Sequence, residues 1–140
     1  MRVAQRAQLR LLTSALVLTC AIGAVCVAAC RSDPSEQITA EWDVQPSPPL
    51  AGSGTVARIT LHDSARNPVV GAKLHLEGQM SHPGMTPVIS DVIERGNGIY
   101  EATLRLTMEG DWTLVLTGEL RDGARITKQL DLSGVRRTGG

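Results

Sequence analysis

The chain has 140 residues, with 14 basic and 14 acidic side chains and a formal charge of zero. That balance argues against a nucleic-acid partner, whose phosphates call for a basic surplus. With no Phe, two Trp and one Tyr, a folded interior must be built from Leu, Val, Ile and those three aromatic residues.

Arg2, Arg6 and Arg10 precede an uncharged apolar run from Leu11 that ends in Val27-Ala28-Ala29-Cys30. A basic start, an apolar stretch and small residues before a cut describe an export signal, and the cysteine makes the cut a lipobox. The alternative is a retained helix, since twenty apolar residues are about enough to cross the hydrocarbon core. Small residues packed before Cys30 serve processing and not a span. The predicted organisation is therefore a lipoprotein signal peptide over 1–29, a lipidated Cys30 with a short tether over 30–37, a β-sandwich domain over 38–134 and a flexible tail over 135–140. Cys20 and Cys26 leave with the signal, so no disulfide supports the exported domain. Three basic residues leave too, and 11 basic against 14 acidic residues then give a net charge of −3. The remaining 111 residues suit one independently folding domain.

The exported part reads as short alternating runs. Ile38, Ala40, Trp42 and Val44 share one parity against Thr39, Glu41 and Asp43, the period of a half-buried strand. Gln45 to Gly54 is rich in Pro and Gly and is expected to be irregular. Ala57, Ile59 and Leu61 form the next apolar face, and Asn67-Pro68 marks a turn. Leu74 and Leu76 follow, whereas Val88 to Glu94 is apolar on both parities. Tyr100, Ala102, Leu104 and Leu106 oppose Glu101, Thr103, Arg105 and Thr107. Trp112, Leu114 and Leu116 come next, and Ile126, Leu130 and Leu132 close the series. Gly96-Asn97-Gly98, Glu109-Gly110-Asp111 and Asp122-Gly123 supply tight turns, which predicts a meander from Val88 to Leu132. No stretch of the exported part keeps a 3.6-residue period. The fold expected is all-β, a seven-stranded antiparallel sandwich of immunoglobulin type.

One segment could carry chemistry: Met80-Ser81-His82-Pro83-Gly84-Met85. Pro83-Gly84 suits the centre of a type II turn, which would bring His82 and Met85 to its two ends. Met80 lies two residues before His82, on the same face if the strand continues that far. Thioether sulfur favours copper(I), whereas Mg or Ca would call for carboxylates. Met108, beyond Leu104 and Leu106, flanks the Glu109-Gly110-Asp111 turn with Trp112. Met80, His82, Met85 and Met108 are thus the candidate metal ligands. The competing reading is that the methionines plug an irregular core end, a task that suits their flexible side chains. His75 sits on the polar parity of its strand, and His62 beside Asp63 is placed to cap a turn.

The order of Asp63-Ser64-Ala65-Arg66-Asn67-Pro68-Val69-Val70-Gly71-Ala72, Met80 to Met85, Gly98-Ile99-Tyr100-Glu101-Ala102 and Met108-Glu109-Gly110-Asp111-Trp112-Thr113-Leu114 resembles the YtkA-like and FixH-like domain family. The resemblance spans about Ile38 to Leu132. It implies a small immunoglobulin-like domain in the cell envelope, some relatives being linked to copper supply for respiratory oxidases or to metal-handling assemblies. The FixH-like members compared carry a membrane helix, and the lipobox of this chain departs from that pattern.

No catalysis is expected. Ser81 and His82 would point to opposite faces of a strand instead of forming a nucleophile–base pair, and the carboxylates fall on outward parity. The expectation is an envelope lipoprotein anchored in the membrane through Cys30 on the periplasmic side, with the outer membrane favoured because Arg31, not aspartate, follows the cysteine. It would bind or deliver copper(I). The alternative is a metal-free module that docks onto an envelope protein of an efflux or respiratory assembly.

Overall fold

The computed structural model describes residues 34–80, 82 and 84–137. The signal, Cys30 and residues 138–140 lie outside the described residues. A short 3-10 turn, Pro34–Gln37, leads into nine strands: β1 (Thr39–Gln45), β2 (Leu50–Ala51), β3 (Gly54–His62), β4 (Lys73–Met80), β5 (Val88–Asp91), β6 (Ile93–Gly96), β7 (Ile99–Arg105), β8 (Gly110–Glu119) and β9 (Arg125–Arg137). They form two sheets, one of four strands in the order β1-β3-β7-β6 and one of five in the order β2-β9-β8-β4-β5. The result is an all-β sandwich of immunoglobulin type.

Strand periodicity builds the core. Ala57, Ile59 and Leu61 of β3 and Tyr100, Ala102 and Leu104 of β7 face Leu74 and Leu76 of β4 and Trp112, Leu114 and Leu116 of β8, all buried. Ile38, Leu106, Ile126 and Val135 complete this interior. Burying each large aliphatic side chain stabilises the fold by roughly 2 kcal/mol before ordering entropy is subtracted.

Four features differ from the sequence expectation. First, the described residues form nine strands and not seven, because two segments change sheets. Leu50–Ala51 leaves the Pro-rich connection after β1 to pair in parallel with Arg136 and Arg137. The run with two apolar parities splits, β5 pairing with β4 and β6 with β7. On one flank β5 and β6 join the two layers, which limits the open edge there; on the other, β2 pairs with only the last two residues of β9.

Second, Val88 to Leu132 is not a continuous meander. Asn97 and Gly98, both at positive φ, turn β6 into β7, and Asp122-Gly123 turns β8 into β9. The Glu109-Gly110 segment instead carries the chain from one sheet to the other, since β7 belongs to the four-stranded sheet and β8 to the five-stranded one.

Third, β7 stops at Arg105, so Met108 lies in a bend instead of ending a strand. Fourth, β9 continues to Arg137 and Val135 is buried, past the expected domain end at 134. A bulge explains this. Gly134 takes φ 72 and donates its backbone N–H to Asp111 Oδ1 at 2.9 Å, and the register slips between Trp112↔Leu132 and Gly110↔Val135. The slip moves Val135 onto the inward parity that Leu130 and Leu132 began.

Candidate functional site

The two ends of the sandwich differ. At one pole the chain enters, Thr39 pairing with His62. The connection from β3 to β4 is folded there by Asp63, whose Oδ1 accepts from the N–H groups of Ala65 (2.9 Å) and Asn67 (2.8 Å) while Oδ2 accepts from Asn67 Nδ2 (3.0 Å). The Asn67 side-chain bond, with the backbone bonds behind it, holds the Asp63 carboxyl below the ordinary carboxylate range. Tyr100 donates its hydroxyl to Val69 O (2.9 Å) and accepts from Ala72 N–H (3.2 Å). Burial raises the Tyr100 pKa. Asp63 thus performs the turn capping that the sequence suggested for His62. His62 Nε2 lies 3.0 Å from Glu41 Oε1 across β1 and β3, and His75 is exposed, 3.6 Å from Asp91.

The opposite pole holds the thioethers. Met80 is the last residue of β4, on the inward parity of Leu74, Leu76 and Gly78, and it pairs in register with Trp112. Its methyl carbon would lie 3.3 Å from a Cβ built on Gly110, whose φ is 120°. A side chain at 110 would therefore press on Met80, and glycine keeps the space open. The indole of Trp112 is buried and donates Nε1–H to Met108 O at 3.1 Å, which fixes the bend that carries Met108. His82 is exposed and Met85 half-buried in the connection between β4 and β5.

The four expected ligands come from two segments of the chain. Met80, His82 and Met85 follow one another at the end of β4. Met108, 48 % exposed, lines a concavity of about 590 Å³ with Ala51, Gly52, Thr107, Glu109 and Arg137. Arg137 and Glu109 form an ion pair there at 2.9 Å. The Arg137 guanidinium makes that concavity the less favourable place for a cation. Met80 also packs against the core cluster, so it serves the interior whatever else it does. Among the described residues, no group of three or more His, Cys, Asp or Glu side chains could hold a metal ion.

A second feature escaped the sequence reading. Val56, Ile89 and Ile93 are exposed and line a groove with Ser90, Thr103 and Glu101. Ser90 Oγ donates to Thr103 O at 2.9 Å across it. The signal was present in the double apolar parity of 88–94, which a single half-buried strand does not need.

The fold resembles that of two solved structures. The Lin-41 filamin domain is 19 % identical, with a TM-score of 0.50, covering 75 % of this chain and 96 % of its own. A DUF4426 family protein from Pseudomonas aeruginosa PAO1 is 12 % identical, with a TM-score of 0.53, covering 74 % of this chain and 94 % of its own. At such identities the likeness concerns fold alone. No curated protein matches the chain. The YtkA-like family model matches residues 35–117, from the entry turn through the capped connection, the Met80–Met85 segment and most of β8, and the chain belongs to the YtkA-like family.

Proposed function

We propose that this protein is an envelope lipoprotein, anchored through Cys30, whose sandwich binds or delivers copper(I) at the pole formed by the end of β4. The observation that supports this reading is the succession of soft donors along the chain there, beginning at the last residue of β4. Met80 is held at the rim by its pairing with Trp112 and by the space over Gly110, and the exposed His82 imidazole and half-buried Met85 follow within five residues. Two thioethers and an imidazole suit Cu(I) and suit hard divalent cations poorly. Met108 stands across the Gly110 turn beside Arg137, and its contribution is accordingly the smallest. The role is non-catalytic.

A metal-free docking module is the second reading, favoured by the groove of Val56, Ile89 and Ile93. Titration separates the two. Residues 32–140 form one compact unit, and this piece is titrated with Cu(I) under reducing conditions against a chromophoric chelator. The parent is expected to compete at least tenfold better than the Met80→Ala/His82→Ala/Met85→Ala variant, about 1.4 kcal/mol, and Met108→Ala is expected to stay close to the parent. Equal competition by parent and triple variant removes the copper reading and leaves the docking module.

A further inference from the structure

Met108 is the thioether that the metal reading uses least, and its surroundings suit a different chemistry. Tyr100, Ala102, Leu104 and Leu106 are buried at alternate positions along β7 and just beyond it, so parity alone would carry Met108 into the core. The chain bends first. β7 ends at Arg105, and the Trp112 indole donates Nε1–H to Met108 O at 3.1 Å, which pins the bend through its backbone. The Met108 side chain is left 48 % exposed on the wall of the concavity that it shares with Glu109 and Arg137.

Met80 and Met85 are placed differently. Met80 packs against the core cluster, and Met85 is half-buried. A two-electron oxidant such as hydrogen peroxide must reach the sulfur lone pair, so access ranks Met108 ahead of both. Oxidation turns an apolar side chain into a polar one, which disrupts packing in an interior but leaves an exposed sulfoxide in water. The concavity also offers that new oxygen a donor. Arg137 bonds Glu109 through Nη2 at 2.9 Å, and a guanidinium carries more N–H groups than this one bond uses.

We propose that Met108 is a reversible oxidation site, the thioether that a peroxide attacks ahead of Met80 and Met85, with Arg137 as the donor to the sulfoxide oxygen. In the forward step the sulfur lone pair takes one peroxide oxygen and the O–O bond breaks. The other oxygen leaves as water with both peroxide protons, so the thioether loses two electrons and the peroxide gains them. A dithiol reverses the step through a methionine sulfoxide reductase. The sulfoxide oxygen leaves as water, the sulfur regains its electron pair, and the dithiol closes to a disulfide. Neither direction requires a bound metal.

The test treats the full, metal-free chain with limiting hydrogen peroxide at neutral pH and follows each thioether by peptide mass. Cleavage after Lys and Arg yields Leu106–Arg121, which carries Met108 alone, and Leu74–Arg95, whose fragment spectra separate Met80 from Met85. Sulfoxide is expected to form at Met108 at least about threefold faster than at either other position, as exposure directs. A methionine sulfoxide reductase with dithiothreitol is expected to restore the original mass of the folded protein. Oxidation of Met108 no faster than that of Met85, or a sulfoxide that the reductase leaves in place, overturns the proposal. Arg137→Gln tests the donor. Oxidation is expected to lower the urea midpoint more in this variant than in the parent, and an equal loss in both removes the guanidinium from the site.

Discussion

Thr55 is the one buried polar side chain whose hydroxyl has no hydrogen-bond partner among the described residues. It points inward from β3, pairs with Leu104 and is fully enclosed. An unmet buried hydroxyl costs about 1–3 kcal/mol, and replacing it by a methyl of the same shape removes that cost without opening a cavity. Thr55→Val is therefore expected to raise stability by about 1 kcal/mol, read as a higher urea midpoint at unchanged m-value. A lower midpoint would mean that the hydroxyl is bonded in solution. Trp112 shows the opposite economy, its indole N–H being satisfied by Met108 O. The sequence reading paired Met108 and Trp112 as neighbours of one turn. It could not anticipate that a backbone carbonyl, and not a thioether, meets the indole, because that contact depends on β7 ending at Arg105.

Across β3, β6 and β7 the outer face carries a triad. Glu101 accepts from Arg58 at 2.7 Å and from Arg95 at 2.7 Å. The Arg58 hydrogen bond, followed by that of Arg95, holds the Glu101 carboxyl below the ordinary glutamate range. A carboxyl lowered in the folded state stabilises the fold above its unfolded pKa and loses that contribution as pH falls through the folded value. Stability should thus be level near neutrality and decline below about pH 4. Glu101→Gln is expected to lower the urea midpoint at pH 7 and to flatten its decline towards pH 3. The difference should shrink in high salt, since these groups are exposed; an unchanged acid slope would contradict the assignment. The same scale shows what was legible. Strands with one clean apolar parity, such as β3, β4, β7 and β8, were readable because one face meets a core and the other meets water. The crossings at β2 and between β5 and β6 were not. A strand that changes layers reverses which parity is buried, so its pattern reads as noise. The bulge at Gly134 hid Val135 in the same way, by shifting the phase midway along β9.

For the molecule as a whole, topology does what composition could not. A sequence placed Met80, His82 and Met85 together because they are five residues apart, but only the register of β4 against β8 shows that they stand at the pole opposite the chain's entry. Met108, whose concavity holds the Arg137–Glu109 pair, is bonded through its carbonyl to the Trp112 indole. The exposed Val56, Ile89 and Ile93 lie on the flank, so docking and metal binding need not compete for surface. The central claim concerns the atoms around the ion. X-ray absorption at the copper edge, on protein loaded with one equivalent of Cu(I), is expected to show sulfur and nitrogen neighbours together, with the nitrogen shell lost in His82→Ala and the sulfur shell diminished in Met80→Ala. A spectrum of oxygen and nitrogen neighbours alone, unchanged in both variants, would contradict it.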